Sequence, residues 1–137
     1  MSIFKILDTA ATGMSAQSMR LNLVASNMSN ADSVSSSIDE TYKARRPVFK
    51  ALLDEANPAA AAGGVRMAGV VESDAPLVQE YAPEHPLANE EGYIFRPNVN
   101  LVEEMADMIS ASRSYQSNVE VANTAKQLLL ATLKLGQ

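Results

Sequence analysis

Apolar side chains recur every seven residues near both ends of this chain, and this repeat limits the folds open to it. The first segment has two such rows: Leu7, Met14, Leu21 and Met28, beside Ile3, Ala10, Gln17, Val24 and Ala31. The last segment also has two: Leu101, Met108, Tyr115, Ala122 and Leu129, beside Met105, Ser112, Val119, Lys126 and Leu133. A seven-residue apolar repeat is typical of long helices that pack side by side.

The six prolines, at positions 47, 58, 76, 83, 86 and 97, all lie in the middle of the chain. Both ends are therefore free of the residue that interrupts helices. We predict helices over residues 3–29 and 100–135, with Ser2 and Asn100 as N-caps. The expected fold is mainly α, with the two helices pairing as a coiled-coil-like hairpin around a small irregular or β middle segment.

A chain of 137 residues forms one modest domain. We divide it into an N-terminal helical segment (1–31), a middle segment (32–97) and a C-terminal helical segment (98–137). In the middle, "SVSSS" is typical of a mobile loop and "NPAAAAGG" of a linker. "VRMAGVVES" and "APLVQEYAP" are strand candidates, and the turn "SDAP" between them predicts a hairpin.

Composition and charge exclude several classes of function. The net charge of -5 and the pI near 4.8 argue against binding to nucleic acid or to anionic membranes, which requires clustered cationic side chains. The absence of cysteine excludes disulfides, thiolate metal sites and cysteine nucleophiles. The N-terminal residues do not resemble a cleavable signal, and no apolar run is long enough to span a bilayer. We therefore expect neither nucleic-acid binding nor direct membrane insertion.

The C-terminal helix has more apolar side chains than one partner helix can cover. Val102, Ile109 and Leu130 form an extra row beside the two main rows. Leaving such side chains in water is unfavourable, so this row is expected to meet a neighbour. Either the middle segment folds back over the row or another molecule covers it, and the repeat does not distinguish packing within one chain from packing between chains.

The sequence offers little that suggests catalysis. His85 is the only histidine and lies between two prolines with no nucleophile nearby in sequence, which favours a solvated loop residue. Glu103 and Glu104 are adjacent in a predicted first helical turn, where the helix dipole explains acidic residues. No phosphate-binding glycine motif is present. We predict no catalytic residue, no metal site and no cofactor.

Three stretches of the sequence resemble those of a known family. The run from Arg96 to Gln137 contains "PNVN", "EEM", "MISASRSYQ", "NVE", "NTAK" and "TLKLGQ". "ASNMSNADS" resembles the pattern A-x-N-x-A-N-x-x-T of flagellar axial proteins, with Ser29 in place of alanine and Ser33 in place of threonine. "YKARRPVF" and "EHPLANEEGYIFRPN" fit as well. The chain is similar to proximal rod proteins of the bacterial flagellar basal body, of the FlgC type.

This resemblance implies a structural subunit in a helically assembled rod that surrounds an export channel and transmits torque for motility. The implied partners are copies of the chain, other rod proteins, basal-body ring and rod adaptor proteins, and the flagellar type III export machinery. The implied location is the periplasm-spanning rod, reached without a cleavable signal. The short middle segment favours a proximal rather than a distal rod protein. A B-type rod subunit and a soluble helical adaptor or chaperone remain alternatives, and an enzyme is a remote one.

Asn27 and Asn30 lie three residues apart where the first helix is predicted to end. The hypothesis is that they tie that end to the second helix or to the next subunit. The simpler explanation is a helix stop before a serine-rich loop. The residues predicted to act in assembly or helix packing are Leu7, Met14, Leu21, Val24, Asn27, Met28, Asn30, Leu101, Val102, Met105, Met108, Ile109, Tyr115, Val119, Leu129, Leu130 and Leu133.

Overall fold

Two long helices form the two ends of the molecule, and two short antiparallel hairpins lie between them in sequence. The structure is a computed structural model that describes residues 2–52 and 63–136. The helices are α1 (Ile3–Ser29) and α2 (Leu101–Leu135). The strands are β1 (Arg45–Leu52), β2 (Gly64–Glu72), β3 (Val78–Tyr81) and β4 (Tyr93–Arg96). Within the described residues, no helix is long and apolar enough to cross a membrane.

Both predicted helices are confirmed, and their ends follow from local chemistry. At the start of α2 the side chain of Asn100 accepts hydrogen bonds from the backbone N–H groups of Val102 (3.1 Å) and Glu103 (3.4 Å). This satisfies two of the backbone donors that a helix leaves unpaired at its N-terminus. Ser2 is the N-cap residue of α1 by its extended backbone, but its side chain makes no capping hydrogen bond.

The two helices pack against each other in opposite directions. Asn27 is hydrogen-bonded to Glu104, Arg20 is paired with Asp107, and Gly13 lies against Asn118. Residue numbers therefore rise along α1 as they fall along α2. The helices measure roughly 40 Å and 53 Å at about 1.5 Å per residue, so α2 is longer than its partner.

Small side chains line the contact between the helices. Ala10 of α1, and Ala111 and Ala125 of α2, are at most 3% exposed. A Cβ atom added at Gly13 would lie 2.8 Å from the side-chain nitrogen of Asn118. Small residues allow two helix axes to approach closely, so the two helices lie a short distance apart. The larger apolar side chains of α2 therefore fall mainly beside this interface or outside it.

The β1–β2 hairpin lies along α1. Arg45, at the start of β1, contacts Asn27 near the end of α1. At the other end of the hairpin the Thr12 hydroxyl accepts from the Val65 N–H (3.2 Å), and the Thr9 hydroxyl donates to the Gly63 carbonyl (2.7 Å). The register pairs Arg45 with Glu72 and Leu52 with Gly64, with an irregularity between Val48 and Phe49.

The β3–β4 hairpin is smaller and pairs Val78 with Arg96 and Tyr81 with Tyr93. Ile94 and Phe95 of β4 are buried. Phe95 also exchanges two backbone hydrogen bonds of 3.0 Å with Ser35. This bridge attaches the serine-rich loop after α1 to the hairpin that precedes α2.

The two predicted strands exist, but the predicted hairpin between them is wrong. β2 and β3 do not pair with each other; β2 pairs with β1, and β3 pairs with β4. At the "SDAP" turn, Ser73 donates its N–H to the Ala44 carbonyl (2.8 Å), and Asn98 donates its side-chain N–H to the Ser73 and Ala75 carbonyls. These contacts hold the turn against other segments, so it does not close a hairpin.

Strands β1 and β4 were not predicted from the sequence. β1 begins with Arg45, Arg46 and Pro47, and two arginines followed by a proline do not form a recognisable strand pattern. Proline is nevertheless tolerated in a strand that has a free edge. β4 has only four residues. Most of the predicted linker "NPAAAAGG" lies outside the described residues. Its last two residues are described, and Gly63 donates its N–H to the Leu52 carbonyl (3.0 Å).

Enlarging the narrow helix contact should destabilise the fold. Ala111 is 0% exposed, so Ala111→Leu forces a larger side chain into a filled space. We expect a loss of about 1–3 kcal/mol in the free energy of unfolding, measured by urea titration followed by circular dichroism. Ala106→Leu, at an exposed position of the same helix, should change it by less than about 0.5 kcal/mol. Equal effects of the two variants would contradict the close packing.

Candidate functional site

The amide of Asn27 joins three separate segments of the chain. Asn27 lies in the last turn of α1 and is 1% exposed. Its Nδ2 group donates to the Arg45 carbonyl (2.9 Å) and to Oε2 of Glu104 (3.1 Å). Its Oδ1 atom accepts from the Arg45 N–H (2.9 Å) and from the Tyr42 hydroxyl (2.8 Å). Both amide protons and two acceptor positions are therefore used, as a buried amide requires.

The Arg45 backbone fixes the orientation of this amide. The Arg45 N–H group faces Oδ1 and the Arg45 carbonyl faces Nδ2. Exchanging the two amide ends would place donor against donor and acceptor against acceptor. Asn27 thus pairs with the first residue of β1 much as a neighbouring strand residue would. Helix α1 and the β1–β2 hairpin are held together at this point.

Glu104 brings α2 into the same cluster. It lies in the first turn of α2 and is 1% exposed, and its carboxylate accepts the hydrogen bond from Asn27. The N-terminus of a helix favours a negative charge, which partly offsets the cost of burying this one. From the sequence Glu104 looked like one of two dipole-compensating acids, but the structure places it inside the helix interface.

Asn98 connects the chain entering α2 to the base of the β1–β2 hairpin. Its Oδ1 accepts from the Ala44 N–H (2.7 Å), and its Nδ2 donates to the carbonyls of Ser73 (3.1 Å) and Ala75 (2.7 Å). The two ends of that hairpin are thereby held beside the start of α2. We call Asn27, Tyr42, Arg45, Asn98 and Glu104 together the polar junction.

An ion-pair network lies beside the polar junction. Arg20 of α1 is 2.7 Å from Asp107 of α2, while Arg46 of β1 is 2.7 Å from Glu103 and 3.5 Å from Asp107. These four side chains are between 27% and 54% exposed. Partly solvated pairs of this kind contribute little to stability and are screened by salt. The network aligns the helices and β1, whereas the buried amide and carboxylate carry the larger free-energy effect.

Asn30 has a local role by comparison. It is the C-cap residue of α1, where its Nδ2 donates to the Ser26 carbonyl (2.8 Å) and its backbone N–H faces the carbonyls of Ser26 and Asn27. Its contacts are those of a helix stop. The two asparagines of the "ASNMSNADS" motif therefore differ: Asn27 bonds across the fold, and Asn30 bonds within its own helix.

The predicted apolar residues fall into three groups by exposure. Val24 is buried, and those that are half-buried beside the helix contact are Leu7, Met14, Leu21, Met28, Met108, Val119 and Leu129. Those that are exposed are Leu101, Val102, Met105, Ile109, Tyr115, Leu130 and Leu133. The centre of the α2 interface is instead a small and polar row with the same period: Glu104, Ala111, Asn118 and Ala125.

This row was not identified from the sequence because its side chains are polar or small rather than large and apolar. Its period of seven was visible, and the facing positions Ala10 and Gly13 were small as well. The two large apolar rows of α2, whose packing partner the repeat left open, lie beside the centre of the contact between the helices or outside it. Large side chains at the centre would have kept the helix axes too far apart for Asn27 to reach Glu104.

The described part of the chain shows no arrangement typical of catalysis. Across residues 2–52 and 63–136, no cluster of three acidic or histidine side chains is placed to bind a metal ion. His85 accepts a hydrogen bond from the Leu87 N–H at Nδ1 (3.1 Å), which stabilises a tight turn. The polar groups brought together at the junction bond to one another, so their chemistry is structural.

Comparison with known proteins assigns the family. A model described as the flagellar basal body rod FlgEFG protein C-terminal matches residues 90–135, and one described as the flagella basal body rod protein matches residues 7–35. The chain is 50% identical to the flagellar basal-body rod protein FlgC of Escherichia coli O6:H1, over 137 residues and the full length of both. This chain belongs to the FlgC family of flagellar basal-body rod proteins.

Two further members of the family align with the whole of this chain. The FlgC protein of Salmonella typhimurium is 48% identical over 137 residues, covering all of both chains. That of Borreliella burgdorferi is 33% identical over 153 residues, covering 100% of this chain and 99% of its relative. The chain is therefore a structural subunit of the basal-body rod that serves flagellar motility. It is not an enzyme, and the C-type prediction is preferred over the B-type and adaptor alternatives.

Removing the buried amide should weaken the whole fold. In Asn27→Ala the Glu104 carboxylate and the Arg45 backbone lose their partner, and we expect the free energy of unfolding to fall by about 2–4 kcal/mol. Asn30→Ala removes only a local cap bond and should cost about 1 kcal/mol or less. Asn22→Ala, at an exposed position of α1, is the matched control. Urea titration of the four proteins would contradict the junction's role if Asn27→Ala resembled the control.

The bond between Asn27 and Glu104 can be isolated by a double-mutant cycle. Asn27→Ala, Glu104→Ala and the double variant should show a coupling of about 1–2 kcal/mol, because each side chain is buried against the other. The same cycle between Asn22 and Glu104 should show none. Additive effects of the Asn27 and Glu104 substitutions on the free energy of unfolding would exclude a direct interaction.

Proposed function

We propose that this rod subunit assembles helically through the outward face of α2, so that the terminal helices of many copies and of other rod proteins surround the export channel. The observation that carries this proposal is the exposure of large apolar side chains along a helix that already has a partner. Val102 is 77% exposed, Ile109 55%, Leu133 60% and Leu135 89%. A soluble monomer rarely leaves so many such side chains along one element in water.

The molecule's surface supports the same proposal. Its solvent-accessible surface is 9356 Å², whereas a compact monomer of 14.7 kDa has roughly 6,900 Å². The buried apolar residues are mostly alanines, so this chain's own core contributes little. Burying one exposed leucine, isoleucine or valine against a neighbour stabilises an assembly by about 1.5–3 kcal/mol. Several per subunit would suffice to hold an array together.

Small and polar residues face the partner helix, and many of the large apolar side chains of α2 face solvent. This division suggests which contacts the large apolar side chains make in an assembly. Within one subunit, small residues and the polar junction align the antiparallel helices. The exposed residues Leu101, Val102, Met105, Ile109, Tyr115, Leu130 and Leu133 then face adjacent subunits, where coiled-coil-like packing takes place. Asn27 acts indirectly, by holding α1, the β1–β2 hairpin and α2 in one rigid orientation.

Such a subunit suits the transmission of torque. Load in a rod passes through many distributed contacts, and each subunit must keep its shape while its outer surfaces bear force. We propose contacts with copies of this chain, with other rod proteins and with basal-body ring and rod adaptor proteins. We also propose that the flagellar type III export machinery delivers the subunit and that its final location is the periplasm-spanning part of the rod.

A charge on the outward face should prevent assembly without unfolding the subunit. Met105 is 53% exposed, so Met105→Asp should leave the circular dichroism spectrum and the free energy of unfolding nearly unchanged. We expect loss of swimming in soft agar, because the carboxylate would be desolvated at a subunit contact. His85→Ala should swim normally, since His85 serves only a local turn. Normal swimming of the Met105→Asp strain would overturn the proposal for this face.

The subunit's presence in the rod can be measured directly. Hook-basal bodies purified from the source bacterium should contain this chain at a few copies or more per particle by quantitative mass spectrometry. The Met105→Asp chain should be missing from particles purified in the same way. Complete particles that lack the wild-type chain, with the protein recovered elsewhere, would overturn the proposed function.

A further inference from the structure

An apolar groove lies where the N-terminal end of α1 meets the last third of α2. It encloses a volume of about 360 Å³. The residues that line it include Ile3, Ile6, Glu120, Val121, Ala125 and Leu128. We call it the terminal groove. Its walls are mainly aliphatic, with the Glu120 carboxylate as the charged group among them, so it suits an apolar side chain accompanied by a cation.

Helix α2 continues beyond the groove without a partner helix. The antiparallel pairing places Ile3, the first residue of α1, level with Leu128. Residues 129–135 therefore extend about 10 Å beyond α1. We call this segment the overhang. It carries Leu130 (48% exposed), Leu133 (60%) and Leu135 (89%).

The overhang cannot fill the groove of its own chain. The overhang and the α2 wall of the groove belong to one continuous helix from Leu101 to Leu135, and a straight helix does not fold back on itself. The groove and the overhang nevertheless complement each other. One is an aliphatic cavity with Glu120 among its walls, and the other is a leucine-rich helix end that carries Lys134. Contact between them would bury apolar surface and pair the two charges.

We propose that the overhang of one copy docks in the terminal groove of a second copy of this chain. The inference rests on the proposed function and identifies which surfaces of two neighbouring subunits meet. Two different surfaces join, so the contact is heterologous and extends into an array when all copies point the same way. The docked copy would be displaced along the helix axis by roughly 10–15 Å, or about seven to ten residues.

The absence of native cysteine makes the contact testable by disulfide trapping. Two forms of the full chain, Ile6→Cys and Leu133→Cys, would carry different mass tags and be produced together in the source bacterium in place of the wild type. Purified hook-basal bodies would be oxidised and the mixed disulfide quantified. Disulfides form where Cα atoms approach within about 7 Å, so the mixed product should exceed that of an Ala68→Cys and Leu133→Cys pair by about tenfold.

The outcomes separate this inference from the proposed function. Particles that contain both chains but no more mixed disulfide than the Ala68 control would overturn the docking and leave the rod assignment intact. Leu133 homodimers in place of the mixed product would also overturn it, because they mean that overhangs meet each other. The same two purified chains, mixed and oxidised at high concentration, should also give the mixed disulfide. If they did so while the chain was missing from purified particles, only the proposed function would be rejected.

Discussion

The carboxamide of Asn27 is the interaction on which the arrangement of this subunit depends. It is buried, and it bonds to the backbone of β1, to the hydroxyl of Tyr42 and to the carboxylate of Glu104 at the start of α2. A buried amide or carboxylate that loses its partner costs more than an ordinary contact contributes. The junction therefore tolerates one alignment of α1, the hairpin and α2 and penalises others. This matters because a seven-residue repeat alone would allow the helices to slide by a heptad.

The second feature of the fold is the distribution of small and large side chains. Alanine and glycine occupy the contact between the helices, while large aliphatic side chains lie on the outer face of α2. A monomer built for its own stability would reverse this order, because large buried side chains contribute most of the hydrophobic free energy. The observed order keeps the two helices close together and leaves large apolar side chains exposed, and these are the side chains that we propose to contact neighbouring subunits. It is the arrangement expected of a family whose members are rod subunits.

How much could be predicted from the sequence depended on the range of the interactions. Both helices were predicted to within a residue, since caps, prolines and a sustained apolar period are local signals. The "SDAP" hairpin was wrong because strand pairing is set by distant groups, here Ala44 and Asn98. The row of α2 that faces α1 was not identified from the sequence, because Glu104 and Asn118 are polar and count as surface residues in any hydropathy pattern. Asn27 was singled out from its motif, but its three partners Tyr42, Arg45 and Glu104 could not be predicted.

Local signals in the sequence were enough to establish that the chain has a long helix near each end, where these helices begin and end, and which family the chain resembles. Its several rows with a period of seven left open which of them faces the partner helix. Only the tertiary structure decided this, because close approach requires small residues on both helices at the same level and a buried partner for Glu104. The tertiary structure also decided which strands pair and which leucines stay in water, since both depend on groups that are far apart in sequence and adjacent in space.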